Sequence, residues 1–341
     1  MKRAAVLALA LGITPAHASF TSFDAPGAGT HGGQGTYAYG VNEQGEVVGL
    51  VTDSQNKASG YVRAPDGTIT VFSAATGADT HAIDVNGDGR LVGYYTGSDG
   101  HLHGYTRSAD GTIASFDPRK SSGTQGIVID AKGDTAGQFT DSNGLQHGFL
   151  QSTRGKSKTF DAGASNTFGT FVTGINTAKT VTGYWFDDAD TIHGYIRAKD
   201  GTLTPLDVDG AGSGVLQGTQ PESINAKGDI AGFYTDAGGK RHGFTRASDG
   251  TVTTFDAPNA SNTIVAGINK KGGIAGYYID SSSIAHGFLR TAKGKFKVFD
   301  APGAAQKAGA GTFVSRIGDD GTIVGESYDA GFILHGFVGT P

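Results

Sequence analysis

Short apolar runs separated by glycine-rich turns recur along the whole chain. The stretch 263–302 contains four of them, TIVAGI, IAGYYI, HGFLR and FKVF. Aromatic and β-branched residues dominate these runs, and none is long enough for a typical helix. The pattern therefore predicts four short strands, a to d, with tight hairpin turns such as PDG, ADG, KDG and SDG between strands c and d.

This block returns at a regular interval. The glycine of its HGF or HGY step recurs at spacings of 44, 44, 46, 49, 44 and 49 residues, at Gly60, Gly104, Gly148, Gly194, Gly243, Gly287 and Gly336. A period of this length, with four antiparallel strands in it, is typical of one blade of a β-propeller. We therefore predict an all-β protein, a seven-bladed β-propeller of four-stranded antiparallel blades, with residues 19–341 as a single domain.

The two ends of this region are complementary. SFTSFD at 19–24 resembles strand d of the other units but precedes the first unit, whereas the seventh unit ends at Pro341 without a strand d. Because an unpaired sheet edge invites aggregation, the missing strand has to come from elsewhere. The sequence predicts that the N-terminal strand completes the last blade and closes the ring.

Residues 1–18 are expected to be a signal peptide. They combine a Lys-Arg start, an apolar stretch at 4–13 and a small-residue end at Ala16-His17-Ala18. The whole chain has no cysteine and a net charge of −5 without basic clusters, and no further long apolar run follows residue 18. These features predict a monomer exported to the periplasm or the medium, without disulfides, membrane insertion or nucleic-acid binding.

The repeated motifs resemble a known family. The segments GINKKGGIAGYY, HGF and TTFDAP are similar to the HAF-type extracellular repeat family of bacterial exported proteins, and the likeness covers residues 19–341. Gly replaces the Ala of the family's His-Ala-Phe step, and Ser59 replaces the first His. The resemblance implies export and a propeller-like fold, and it implies no established activity.

Residues that recur in every unit are interpreted as scaffold. A metal site would require the repeated His to converge, whereas equivalent positions of a propeller stay apart, so each imidazole is expected to bond a neighbouring turn. The Asp after strand d and the Asn or Asp after strand a are expected to form turns. Trp185 aligns with other aromatic residues and is predicted to lie in the core. The repeated His are His103, His147, His193, His242, His286 and His335.

The second unit is predicted to carry a two-residue insertion between strands a and b. The resulting segment, DVNGDGR, places oxygen-bearing side chains at Asp84, Asn86 and Asp88, the alternate spacing of a small calcium loop. The acidic ligand at the twelfth position is missing, because Tyr95 occupies it. Two interpretations stay open, a weak Ca²⁺ site and a longer polar hairpin. No other cofactor is expected.

Polar residues that vary between units fall on strand a, which is expected to line the axis after a Gly-Thr step. Convergent polar groups of this kind are typical of ligand sites, and relaxed packing beside the axis is the alternative. Because the repeat scaffold does not need them, their removal is expected to leave stability nearly unchanged. The predicted ligand-binding residues at the channel mouth are Tyr37, Tyr39, Asp79, His81, Gln125, Gln220, Glu222 and Arg316.

Three functions are compatible with this organisation. The first is a binding module for a glycan or another extracellular ligand at the channel mouth. The second is a propeller enzyme, a lyase or hydrolase acting in the channel, although no nucleophile motif, phosphate loop or zinc spacing supports a reaction. The third is a structural or adhesive surface protein without a small-molecule site. The sequence favours the first and assigns no catalytic residue.

Overall fold

The structure, a computed structural model, describes residues 19–163 and 168–341, so the predicted signal peptide lies outside the described residues. The described part forms 28 short strands. The strands are β1 (Ser19–Phe23), β2 (Gly35–Val41), β3 (Val47–Thr52), β4 (Ala58–Arg63), β5 (Ile69–Phe72), β6 (Thr80–Val85), β7 (Leu91–Thr96), β8 (Leu102–Arg107), β9 (Ile113–Phe116), β10 (Gly123–Ile129), β11 (Thr135–Thr140), β12 (Gln146–Gln151), β13 (Ser157–Phe160), β14 (Thr170–Ile175), β15 (Val181–Phe186), β16 (Ile192–Arg197), β17 (Leu203–Leu206), β18 (Gly218–Ile224), β19 (Ile230–Thr235), β20 (Arg241–Arg246), β21 (Val252–Phe255), β22 (Asn262–Ile268), β23 (Ile274–Ile279), β24 (Ala285–Arg290), β25 (Phe296–Phe299), β26 (Gly311–Ile317), β27 (Ile323–Tyr328) and β28 (Leu334–Thr340).

Antiparallel pairing groups these strands into units of four consecutive strands. Unit 1 is β2–β5, and units 2 to 6 follow in the same way from β6 to β25. Unit 7 consists of β26, β27, β28 and β1, because β1 pairs antiparallel with β28 over its whole length, from Ser19 opposite Thr340 to Phe23 opposite Gly336. The predicted four-stranded repeat is confirmed, and the N-terminal strand lies where the sequence predicts it.

Several consecutive units are joined near the start of the inner strand. Single parallel bridges link Gly35 to Leu334, Gly218 to Ile192 and Gly311 to Ala285. At the other end of the inner strands, the Asn42 side chain donates a hydrogen bond to the Asn86 carbonyl of the next unit at 3.0 Å. The same contact joins Asn86 to Asp130, Asn176 to Asn225, and Asn225 to Asn269. The repeated Asn therefore connects units as well as forming a turn.

The core repeats with the strands. The aromatic residue of each HGF or HGY step on strand c is at most 1% exposed in every unit, at Tyr61, Tyr105, Phe149, Tyr195, Phe244, Phe288 and Phe337. The glycine before it leaves room for the strand-d aromatic ring, since a Cβ on Gly287 would lie 2.5 Å from the ring of Phe299. Within the described residues, no helix is long and apolar enough to span a membrane.

This packing makes the strand-c glycine sensitive to a single methyl group. Gly287→Ala is expected to lower the free energy of unfolding by about 1–3 kcal/mol, because the added carbon displaces a packed ring. Gly123→Ala is the matched control, because its Cβ would meet no heavy atom closer than 3.8 Å. Urea unfolding of both variants checks the prediction, and equal midpoints would contradict it.

Candidate functional site

The inner strand of every unit contains a β-bulge at the same point. In β2 the register shifts between Ala38 and Gly40, and in β26 it shifts between Val314 and Arg316. A bulge turns two consecutive side chains toward the same side of a strand. Ser315 and Arg316 consequently both line one cavity, as do Ile127 and Val128.

The bulges also correct the predicted register of unit 2. Asn86 accepts hydrogen bonds from the backbone N–H groups of Asp88 and Arg90 and thus occupies the repeated Asn position. The predicted insertion is therefore wrong, and DVNGDGR is the end of strand a followed by an ordinary turn. His81 takes the place assigned to Asp79, and Asp84 lies on β6 beside the axis.

A cavity of about 320 Å³ lies at the middle of the inner strands. Three of the predicted site residues, Tyr39, Glu222 and Arg316, line it, and they come from units 1, 5 and 7. The cavity wall is completed by Ile83, Tyr94, Ile127, Val128, Val172, Thr173, Ala266 and Ser315. The structure therefore brings three of the eight predicted residues together at one cavity.

Aromatic side chains form much of the wall toward the start of the inner strands. The His81 ring stacks on Tyr94 at 4.5 Å between centroids, and Phe171 stacks on Tyr184 at 5.1 Å. Tyr37 lies 5.9 Å from Tyr39. The first two pairs join strand a to strand b, whereas Tyr37 and Tyr39 both lie on strand a. The strand-b members were missed by the sequence reading. They could have been found from the sequence, because they occupy the position directly after the strand-b glycine. The residues at this position are Leu50, Tyr94, Gln138, Tyr184, Phe233, Tyr277 and Glu326.

Two carboxyl groups of this region are strongly perturbed. Burial raises the pKa of Glu222 to about 8, against the opposing effects of a hydrogen bond with Gln220 and the charges of Arg241 and Arg316. Burial likewise raises the pKa of Glu326, on β27, to about 7. The Ser315 hydroxyl donates to Glu326 Oε2 at 2.9 Å, so Glu326 lies directly behind the cavity wall.

His81, Tyr39 and Tyr184 stay neutral near pH 7. Burial lowers the pKa of His81, which the nearby Asp79 charge opposes. Burial raises the pKa of Tyr39 and raises that of Tyr184 to about 12, with a further contribution from the Glu222 charge in the second case. The two glutamates are therefore the groups of this wall that change charge between about pH 6 and pH 9.

Arg316 forms the floor of the cavity and is paired with Asp84, which does not line it. Arg316 Nη2 contacts Asp84 Oδ2 at 2.5 Å, and the backbone N–H of Ile129 donates to the same oxygen at 3.1 Å. Asp84 is only 6% exposed. A second cavity of about 360 Å³ lies beyond this pair, among the turns that follow the inner strands. The expectation that Arg316 is dispensable for stability is revised, because its removal would leave a buried carboxylate unpaired.

Two of the three predicted calcium ligands have other partners in the structure. Asp84 is held by Arg316, and the Asn86 side chain is used by its own turn and by Asp130. Asp88 is an exposed residue of an ordinary turn. Among residues 19–163 and 168–341, no group of three or more His, Cys, Asp or Glu side chains is arranged to hold a metal ion. Calcium binding by Asp84, Asn86 and Asp88 stays an untested prediction.

The remaining predicted site residues make other contacts. Asp79 precedes β6, where its Oδ1 accepts the N–H of Ala58 in unit 1, so it joins two units instead of lining the cavity. Gln125 accepts a hydrogen bond from Gln138. The 209–218 loop, which precedes β18, rests on the neighbouring turn of unit 4 through a hydrogen bond from the Leu216 N–H to the Asp190 carbonyl.

The repeated histidines behave as scaffold. In each case Nδ1 bonds the Asp after strand d, as His147 does with Asp161 at 2.7 Å. Nε2 faces a second Asp in the turn between strands b and c, such as Asp141 at 3.6 Å. The strand-d Asp residues therefore hold the histidines, a role that replaces the predicted turn cap. Trp185 stacks on His193 at 4.9 Å and packs against a buried cluster, which confirms its predicted core position.

Known proteins resemble this chain in fold alone. No family model matches it, and no curated protein matches its sequence. The β-propeller domain of the Trilobed protease from Pyrococcus furiosus is 9% identical over 89% of this chain and 95% of that domain, with a TM-score of 0.55. A puromycin hydrolase mutant complexed with PGG is 12% identical over 91% of this chain and 50% of its own, also with a TM-score of 0.55. TolB from Acinetobacter baumannii is 11% identical over 86% of this chain and 80% of its own, with a TM-score of 0.45. The chain is therefore an all-β protein with a propeller-like fold of four-stranded blades.

Proposed function

We propose that this protein is an exported, seven-bladed β-propeller, closed by β1, that binds an extracellular ligand such as a glycan in the axial cavity. The supporting observation is the cavity itself, to which separate units contribute Tyr39, Glu222 and Ser315. Its volume of about 320 Å³ lies at the small end of the range of ligand pockets. The pairing of β1 with β28 supports closure of the ring.

The wall chemistry supports recognition of a compact group. Aromatic faces from Tyr39 and Tyr94 supply apolar contact, and Thr173, Glu222 and Ser315 supply hydrogen-bonding groups. A mixture of aromatic surface and a few placed polar groups is typical of small-molecule sites. Export and membership of the HAF-type family remain part of the proposal and rest on the sequence alone.

The enzyme alternative has one supporting observation. Glu222 and Glu326 have pKa values raised to about 8 and about 7, which suits a general acid or base near neutral pH. Incubating the protein with any ligand it binds, followed by chromatography of the products, separates a hydrolase or lyase from a binding module. A protein that binds nothing would favour the structural or adhesive alternative.

A thermal-shift screen against oligosaccharides tests the proposal, because a bound ligand raises the melting temperature by mass action. For a ligand that does so, Tyr39→Ala is expected to weaken binding by about 1 kcal/mol or more, as loss of an aromatic anchor does. Val298→Ala is the control, because Val298 is 46% exposed on an outer strand. Equal affinity for the ligand in both variants would contradict binding in the axial cavity.

A further inference from the structure

Two carboxyl groups at the axial cavity become negatively charged as the pH rises: Glu222 lines the cavity, and Glu326 lies behind Ser315 of its wall. In the described residues, neither Glu222 nor Glu326 forms a salt bridge with a Lys, Arg or His side chain. Arg316 lines the cavity, but its guanidinium is already bound to Asp84 at 2.5 Å. Arg241, whose charge also reaches Glu222, lies over the Phe233 ring at 5.4 Å.

The aromatic rings of the cavity wall also favour a cation. Tyr39 and Tyr94 line the same cavity as Glu222, and Tyr277 feels the charges of both glutamates. The face of an aromatic ring attracts a cation within about 6 Å, and the attraction is stronger when the cation has left water. Carboxylates set among aromatic faces are the combination that recognises organic ammonium groups.

We propose that the ligand of the axial cavity carries a positively charged nitrogen, as a quaternary or protonated amine, held between Glu222 and the tyrosine faces, with the Glu326 charge acting from behind Ser315. This inference rests on the proposed function and specifies its ligand class. An anionic ligand would be repelled by the charged Glu222 carboxylate. A neutral sugar would need no charged carboxylate, so its binding should respond to pH in the opposite way or not at all.

The direction of the pH effect follows from the raised carboxyl pKa values. Below about pH 6 both glutamates are protonated and attract no cation, and above about pH 9 both are charged. Desolvated carboxylates with raised pKa values favour folding most at low pH, and this contribution is lost as the pH rises through about 7 to about 8. A bound cation should offset that loss.

The test uses choline, whose charge does not titrate, and dimethylbutanol, the uncharged analogue in which carbon replaces nitrogen. Calorimetry at about pH 6 and about pH 9 is expected to show choline affinity at least tenfold higher at the upper pH. The reason is that the charged fraction of a carboxyl group rises about tenfold for each pH unit while the pH is below its pKa. Dimethylbutanol is expected to bind more weakly than choline at the upper pH and with little pH dependence. Glu222→Gln and Glu326→Gln should each weaken choline binding and flatten its pH dependence. Asp88→Asn, at the second cavity, should change neither.

Any one of three results at the axial cavity would overturn the inference. They are absence of choline binding, equal binding of dimethylbutanol at the upper pH, and choline binding unaffected by Glu222→Gln. None of them removes the proposed function. That function fails if Tyr39→Ala leaves the binding of every ligand from the oligosaccharide screen unchanged. It also fails if neither an oligosaccharide nor choline binds. If Asp88→Asn, instead of Glu222→Gln, weakens choline binding, the cation lies in the second cavity and the inference is also overturned.

Discussion

Deletion of residues 19–26 is expected to lower the free energy of unfolding by several kcal/mol or to cause aggregation. The deletion removes β1 and exposes the edge of β28, to which all five β1 residues pair. It also removes Phe20, whose ring stacks on Phe299 at 4.3 Å, and Phe23, which packs near Tyr61. Full burial of a Phe side chain is worth roughly 1.5–3 kcal/mol, and Phe20 and Phe23 are half-buried, so each contributes only part of that value to a marginal total.

The comparison is made by urea unfolding and light scattering on the protein that begins at Ser19. Thr21→Ala is the control, because Thr21 is exposed on the same strand and its removal leaves the pairing intact. Phe20→Ala should fall between the control and the deletion. A deleted protein that stays monomeric with an unchanged unfolding midpoint would show that β1 contributes nothing to closure.

The repeated part of the fold could be predicted from the sequence because repetition averages out local ambiguity. Strand c aligns in every unit through its glycine and aromatic residue, and the aromatic residue is buried each time. Unit 2 was misaligned because the D-x-N-x-D-G spacing of Asp84, Asn86 and Asp88 imitates a calcium loop. The register of unit 2 is decided by the hydrogen bond from the Asn86 side chain to the next unit. This contact cannot be identified from a single sequence.

The site was predictable only in part because its chemistry depends on contacts between strands. Tyr39, Glu222 and Arg316 were found because variation on strand a stood out against the repeat. Glu326 was missed because aromatic residues occupy its position in most other units. It reaches the cavity wall only through the hydrogen bond that it accepts from Ser315. The partner of Arg316, on the inner strand of unit 2, could not be identified before the strands were arranged around the axis.

Substitution of Arg316 is the second large effect that we expect. Arg316→Met should lower the free energy of unfolding by about 3–5 kcal/mol, because the Asp84 carboxylate stays buried without its counter-charge. The backbone N–H groups of Val85 and Ile129 still donate to Asp84, but they carry no full charge to balance it. Lys270→Ala is the control, because Lys270 forms an exposed pair with Glu43 at 3.4 Å, and such pairs contribute about 0–1 kcal/mol.

A double-mutant cycle separates loss of the pair from loss of arginine packing. Asp84→Ala combined with Arg316→Met should be less destabilising than the sum of the two single changes, because the double variant leaves no unpaired charge in the axis. The free energies come from urea unfolding of all four proteins at neutral pH. If Arg316→Met stays within about 0.5 kcal/mol of the unmodified protein, the value typical of surface changes, the floor of the cavity is not held by this ion pair. The original expectation that polar residues of the axis are dispensable would then apply to Arg316 as well.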